Sequence, residues 1–313
     1  MIDFTNNNWD IYQNVNQAKI FILELLKKGQ LSIMLGAGAS WAFGLPGWDE
    51  LVKRCCDGYI SPTGNNEKDI DSLKSKLNHN DYILRVQECL YKKNNLSTNL
   101  LEDIELNFET ANNNLLMALT SLIIGKTRST VDKILNLNYD SIIEWYLKVN
   151  GIKTVVNYKE GIITGNCDVE IIHPHGYLPH KSLKYENSNS ILFSRIENET
   201  FKQEKENYLK ELMYYFFRTK CFISIGVSPK TLDNYISSYI THILSEYNKK
   251  NIKRVMPFGI ALVKPNECNK ELINNLRDFY GIIILEIEHE KIPHYLFNIA
   301  QNLVGVEVPY NTH

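Results

Sequence analysis

The apolar positions of this chain switch period, and the switches alternate helix with strand. From 11 to 28, Val15, Ala18, Phe21, Ile22, Leu25 and Leu26 recur at helical spacing on one face. Gly29 closes that helix. Leu31 to Leu35 then reads as a buried strand ending at Gly36, with a helix expected after the glycine turn. Between 48 and 128 no strand pattern occurs. Trp48, Leu51, Val52 and Cys55 mark a short amphipathic helix, 61–80 read as a loop or an exposed helix start, and 81–93 and 98–125 read as helices. Strand patterns return at Lys133 to Asn138, Thr154 to Val156, Val169 to Ile172 and Ile191 to Phe193. Cys221 to Ile225, Phe258 to Val263 and Ile282 to Ile287 follow, with helices at about 204–218, 235–247, 268–280 and 293–303.

This alternation predicts an α/β fold, a Rossmann-like parallel sheet with helices on both faces and a helical insertion after the first strand. The expected layout is one domain over 1–313, its core at 11–47 and 130–305 and its insertion at 48–129. A length of 313 residues allows such a core.

Composition narrows the partners more than the fold. A formal charge of -2 argues against a dedicated nucleic-acid surface. None of the six cysteines forms a CxxC pair, so no tetrathiolate metal site is expected. The first ten residues are polar and acidic, no signal peptide is read there, and no apolar run reaches membrane-spanning length. The expectation is a reduced, cytoplasmic protein that touches no membrane.

Candidate chemistry collects at strand ends. Gly36-Ala37-Gly38-Ala39-Ser40 follows the first strand, and small residues at this spacing let backbone N–H groups approach an anion. A helix N-terminus behind the turn would add positive potential. No Gly-Lys-Ser/Thr follows, and position 41 is Trp, so neither the P-loop nor the GxGxxG fingerprint is met. Alone, the stretch also fits a tight turn with no ligand. Asn138 and Asp140 follow the next strand, His173 and His175 another, and Gly226 and Ser228 a fourth. A lone His or Asn at a strand end is usually a cap, but ligands of open parallel sheets bind off the carboxyl ends of strands, and four clusters on one rim point to one site.

These motifs, in order, resemble the sirtuin superfamily, and more closely its SIR2-like NADase branch of bacterial anti-phage defence. Gly36-Ala37-Gly38-Ala39-Ser40 with Gly44-Leu45-Pro46 matches GAGxS-x3-G-[IL]-P, and Asn138-Tyr139-Asp140 matches the NYD form. His173-Pro174-His175-Gly176 matches HxHG, and Gly226-Val227-Ser228 matches GxS. The sirtuin Asp-Phe-Arg is replaced by Gly47-Trp48-Asp49, and the zinc tetracysteine module has no counterpart. The resemblance implies that NAD+ is the substrate and that no metal takes part.

It implies Asn138 and His175 as catalytic residues, with Gly36, Ala37, Gly38, Ser40, Pro46, Trp48, Asp140, Gly226 and Ser228 holding NAD+. Asp140 would hold the nicotinamide carboxamide and Trp48 would cover the ring. Asn138 would position a water or ribose hydroxyl, and His175 would be the general base, since a free imidazole titrates near ~6.5. His173 is expected to be structural, its loss costing much less. The implied activity is cleavage of NAD+ to nicotinamide and ADP-ribose, depleting NAD+ in abortive infection. The alternatives are an NAD-dependent protein deacylase and a non-catalytic NAD or ADP-ribose-binding module. A constantly active enzyme would kill its host. Control is therefore expected from homo-oligomerisation or from a partner such as a HerA-type ATPase or a short Argonaute.

Overall fold

A computed structural model describes residues 13–91, 114–124, 131–159, 166–179, 191–193, 197, 200 and 208–304. Helix α1 (Val15–Lys27) is capped by the Asn14 side chain, which accepts from the N–H groups of Asn16 and Gln17. It buries Ala18, Ile22, Leu25 and Leu26. β1 (Leu31–Leu35) is buried throughout. Three helices follow, α2 (Trp48–Cys56), α3 (Asn66–Lys76) and α4 (His79–Tyr91), and then α5 (Asn114–Ile124). β2 (Lys133–Asn136), α6 (Ile142–Val149), β3 (Thr154–Asn157) and β4 (Val169–Ile172) complete one side. The other side holds α7 (Tyr208–Thr219), β5 (Cys221–Ile225), α8 (Ser237–Lys249), β6 (Gly259–Val263), α9 (Lys270–Tyr280), β7 (Ile282–Glu286) and α10 (Ile292–Val304).

The seven strands form one sheet in the order β3-β4-β2-β1-β5-β6-β7, every pairing parallel. From β1 the chain moves to β2, and it later returns through β5 on β1's other flank. The order therefore reverses between β1 and β5, the place where such sheets open a crevice for ligands. β1, β5 and β6 are buried at every residue, as expected of strands covered on both faces. Helices pack around the sheet: α7 lies against β2 and β4, α9 against β7, and α1 against β1 and α10.

Four expectations change. No α-helix follows the glycine turn. Two short 3-10 turns do, Ala37–Ala39 and Trp41–Phe43, ended by Gly44 in the left-handed conformation just before Pro46. The 61–80 stretch contains a full helix, α3. It buries only Ile70 and Leu73 among its apolar residues, too few to set a period, and its Asn65 cap starts it. Ile191 to Phe193 is not a strand, since Ile191 makes a single antiparallel bridge to Gly176. Its apolar character serves packing: Phe193 sits 4.7 Å from the Trp48 ring and about 6 Å from those of Tyr82 and Tyr139. β2 stops at Asn136 because that side chain turns back to accept from the Asn138 N–H (3.1 Å). The expected helical segments 92–93, 98–113 and 204–207 lie outside the described residues.

The helices between β1 and β2 split between two cores. α2, α3 and α4 form a separate apolar cluster that closes over Tyr139, Leu178, Ile191 and Phe193. α5 joins the main core and packs on α10. The Tyr91 hydroxyl fastens α4 to the sheet, donating to the Leu178 carbonyl (2.8 Å) and accepting from the Ser141 N–H (3.1 Å). That tie sets the small cluster beside the carboxyl ends of β1 and β2.

Candidate active site

The crevice between β1 and β5 is closed by backbone against backbone. The Gly36 N–H donates to the Ile225 carbonyl (3.0 Å) and the Gly38 N–H to the Gly226 carbonyl (3.0 Å). A Cβ on Gly36 would lie 2.5 Å from the Gly226 oxygen, and one on Gly38 2.7 Å from the Gly226 Cα. Gly226 has φ +68° and a Cβ there would meet the Ala39 nitrogen at 2.2 Å. These glycines are thus required by their neighbours before any ligand arrives.

That contact changes the donors on offer. Of the four N–H groups expected to cradle an anion, Gly36 and Gly38 are already committed, and Ser40 donates to the Ala37 carbonyl (3.0 Å). The Ala37, Val227 and Ser228 N–H groups find no acceptor among the described residues, and all three residues line the cleft. The free donors therefore span both turns. The helix start expected after β1 is supplied after β5 instead. Ser228 accepts from the Thr231 N–H (3.2 Å) as an N-cap, with Pro229 in the first turn. The chain then passes through a π-helical turn (Leu232–Ile236) into α8.

The other wall is made of side chains. Asn138 Nδ2 donates to the Gly36 carbonyl (3.0 Å) and to Ser40 Oγ (3.2 Å). This fixes the amide and leaves Oδ1 as its outward acceptor. The Ser40 hydroxyl donates to Asp140 Oδ2 (2.7 Å), and the Ile142 N–H donates to Oδ1 (3.1 Å). Burial pushes the Asp140 carboxyl up to about 6, opposed by the Ser40 bond, helped by the nearby Glu144 charge, and opposed again by Ile142 and His173. His175 Nδ1 lies 3.2 Å from the Leu137 carbonyl. A carbonyl only accepts, so Nδ1 carries the proton and a neutral ring keeps its lone pair on Nε2. The ring packs on Tyr235, 4.9 Å between centroids. His173 behaves differently. It is fully buried, its Nδ1 donating to the Asn138 carbonyl (2.7 Å) and its Nε2 lying 2.5 Å from Glu144 Oε1.

Both walls open on one cavity of about 1490 Å³. All the sequence-predicted contacts line it: Gly36, Ala37, Gly38 and Ser40 on one turn, Pro46 and Trp48 at the mouth, then Asn138, Asp140, His175, Gly226 and Ser228. The volume exceeds that of an ordinary small-molecule pocket and suits an extended dinucleotide. Sequence reasoning missed Trp41, Tyr235, Lys264 and His289, which also line it. Trp41 carried a visible signal, a large aromatic next to a small-residue turn, and it is 63% exposed at the mouth. Tyr235 carried none, because a π turn leaves no mark in sequence spacing. Among the described residues no group of three or more His, Cys, Asp or Glu could hold a metal ion, and no helix is long and apolar enough to cross a membrane.

A seven-stranded parallel α/β fold with its polar residues gathered at the β1–β5 reversal defines a Rossmann-like, nucleotide-binding class of protein. Residues 132–285 match the family model of the SIR2-like domain, and the chain carries a SIR2-like domain there. SIR2-like domains bind NAD+, so the function is NAD-related. The match runs from the start of β2 to the end of β7 and contains Asn138, Asp140, His175, Gly226 and Ser228. The glycine turn precedes it in sequence but is bonded to it through Gly226 and Asn138. No curated protein matches the chain.

Proposed function

We propose that this protein is an NAD+ glycohydrolase that releases nicotinamide and ADP-ribose. What supports the reading is the pairing of two oriented groups in one cavity. The Asn138 amide is held by Gly36 and Ser40 with its oxygen outward, and the His175 ring is tied through Nδ1 with its basic nitrogen on the far side. In the proposed reaction the bond between the ribose C1′ and the pyridinium nitrogen breaks, and its electron pair neutralises the leaving nicotinamide. The transition state is oxocarbenium-like, as in other glycoside cleavage. A water oxygen bonds C1′, positioned by Asn138 Oδ1, and its proton passes to His175 Nε2 and on to solvent. Asp140 holds the carboxamide and Trp48 covers the ring. The Ala37, Val227 and Ser228 N–H groups meet the diphosphate, and no metal takes part.

The cellular role we propose is NAD+ depletion in anti-phage abortive infection, restrained by self-assembly or by a partner such as a HerA-type ATPase or a short Argonaute. The helical insertion, proposed to span 48–129, would carry the mouth of the site.

The test is nicotinamide release from NAD+, with and without an acyl-lysine peptide, and cellular NAD+ on expression. Release independent of peptide is expected, with Asn138→Ala and His175→Ala each lowering turnover by about 10² or more. Release only with peptide would replace the reading with a deacylase. Tight NAD+ binding with no release, and unchanged cellular NAD+, would replace it with a binding module.

A further inference from the structure

His173 and Glu144 are fully buried, make the closest contact near the cleft, and do not line it. His173 follows β4, and Glu144 lies in the first turn of α6, one helical turn after Asp140. The imidazole has a partner on each nitrogen: the Asn138 carbonyl at 2.7 Å on Nδ1 and Glu144 Oε1 at 2.5 Å on Nε2. The carbonyl can only accept, so Nδ1 bears a proton. A contact of 2.5 Å between Nε2 and a carboxylate oxygen then requires one further proton between them. Whichever atom holds it, the pair is neutral as a unit, which is what allows it to stand in the interior. Glu144 Oε2 has no hydrogen-bond partner among the described residues, so the histidine is the carboxylate's only such partner there.

The target of this pair is the peptide that carries Asn138. That residue is fixed at its N–H by Asn136 Oδ1, at its carbonyl by His173, and at its side chain by Gly36 and Ser40. Remove the carbonyl anchor and the peptide between 138 and 139 is free to rotate, which swings the Asn138 side chain out of register with its acceptors. A misplacement of about 1 Å can cost on the order of 10²-fold in rate.

We propose that His173 and Glu144 are a positioning pair for Asn138: Glu144 orients the imidazole, and the imidazole holds the Asn138 carbonyl so that its amide oxygen faces the reacting centre. This rests on the NAD+ glycohydrolase reading. It also reverses the expectation that His173 matters little.

Four variants test it. His173→Phe keeps a flat ring and loses both bonds, and should lower kcat by about 10-fold to 10²-fold with KM within about threefold of wild type. Glu144→Leu should do the same. Glu144→Gln can donate to the neutral Nε2 while Nδ1 still serves Asn138, and should keep kcat within about threefold of wild type. The decisive variant is the double one. In an Asn138→Ala background His173→Phe should cost nothing further, since there is no side chain left to position. Multiplying losses, a rise in KM alone, or a Glu144→Gln as poor as Glu144→Leu would each overturn the proposal.

A second readout needs no turnover. In an amide NMR spectrum the Asn138 side-chain protons should be protected in wild type and Glu144→Gln, and exposed in Glu144→Leu. Equal protection in all three would overturn the positioning role. A wild type that binds NAD+ and never releases nicotinamide would overturn the glycohydrolase reading, and this spectrum would still decide on the pair.

Discussion

The wall of the cleft over β1 and β5 is made of backbone, and the wall over β2 and β4 is made of side chains. In the first, Gly36, Gly38 and Gly226 let two turns touch with no room for a Cβ between them. In the second, Ser40, Asn138, Asp140, His173 and Glu144 satisfy one another's buried polar groups. The difference lies in what each wall can lose. A backbone contact tolerates no added atom, so changes there act on the fold before they act on any ligand. A side-chain network can keep its shape while losing one donor or one charge. Changes there separate chemistry from stability.

The sharpest way to break the comparison is to add one methyl group to the backbone wall. Gly226→Ala puts a Cβ 2.2 Å from the Ala39 nitrogen in a left-handed conformation. Overpacking and the backbone penalty together should cost more than about 3 kcal/mol. Gly29→Ala is the control. It has φ +63° with nothing within 4 Å of the added atom, and should cost about 1 kcal/mol. Denaturant unfolding of the two variants measures the gap. Equal losses would mean that the close approach is not what demands glycine. The same geometry makes Gly38→Val a poor probe of NAD+ binding, because its Cβ would strike Gly226 first.

The side-chain wall predicts the opposite kind of result. Asp140 titrates at about 6 in the folded chain against an ordinary 3.8. The folded state therefore holds that proton more tightly than the unfolded state does. The stability this contributes is full below pH ~3.8 and is lost as pH rises through ~6, a loss of about 3 kcal/mol at neutral pH. Asp140→Asn removes the buried charge and can still accept from the Ile142 N–H and pair with Ser40. Its stability advantage over wild type should grow between pH 5 and pH 8, while nicotinamide release falls. A stability difference that is flat across that range would show that Asp140 carries no desolvation cost.

The two walls also differed in how far they could be read from sequence. The sheet was legible because β1, β5 and β6 are buried on both faces and so appear as unbroken apolar runs. The residues at the strand ends were legible as types. What they do was less so. A glycine required by another backbone and a glycine required by a phosphate look identical in sequence, since both need only the absence of a Cβ. That is why three expected anion donors proved to be spent inside the fold. His173 was legible as a motif residue but not as Glu144's partner, because the two are 29 positions apart and meet only when β4 pairs with β2. α3 and the 191–193 segment were misread for the converse reason. One shows too few apolar residues to set a period, and the other is apolar for packing against Trp48 and Tyr139.

The smallest expected effect lies where the backbone wall borrows a side chain. Ser228 is exposed, and its Oγ accepts from the Thr231 N–H at 3.2 Å while lying 2.9 Å from Thr231 Oγ1. Its hydroxyl thus organises the start of the helical segment that enters the cleft after β5. Ser228→Ala should cost about 1 kcal/mol, the usual loss when an N-cap oxygen is removed. Ser228→Asn restores an acceptor at that position and should recover most of it. A thermal melt of the three proteins measures the order, and titration with NAD+ shows where the hydroxyl's other work lies. If Ser228 only caps, affinity should follow stability, falling in the alanine variant and returning with asparagine. If the hydroxyl itself holds a ribose, asparagine should recover the melt and leave affinity low. An alanine variant with an unchanged melt would mean that the backbone wall needs no side chain at all.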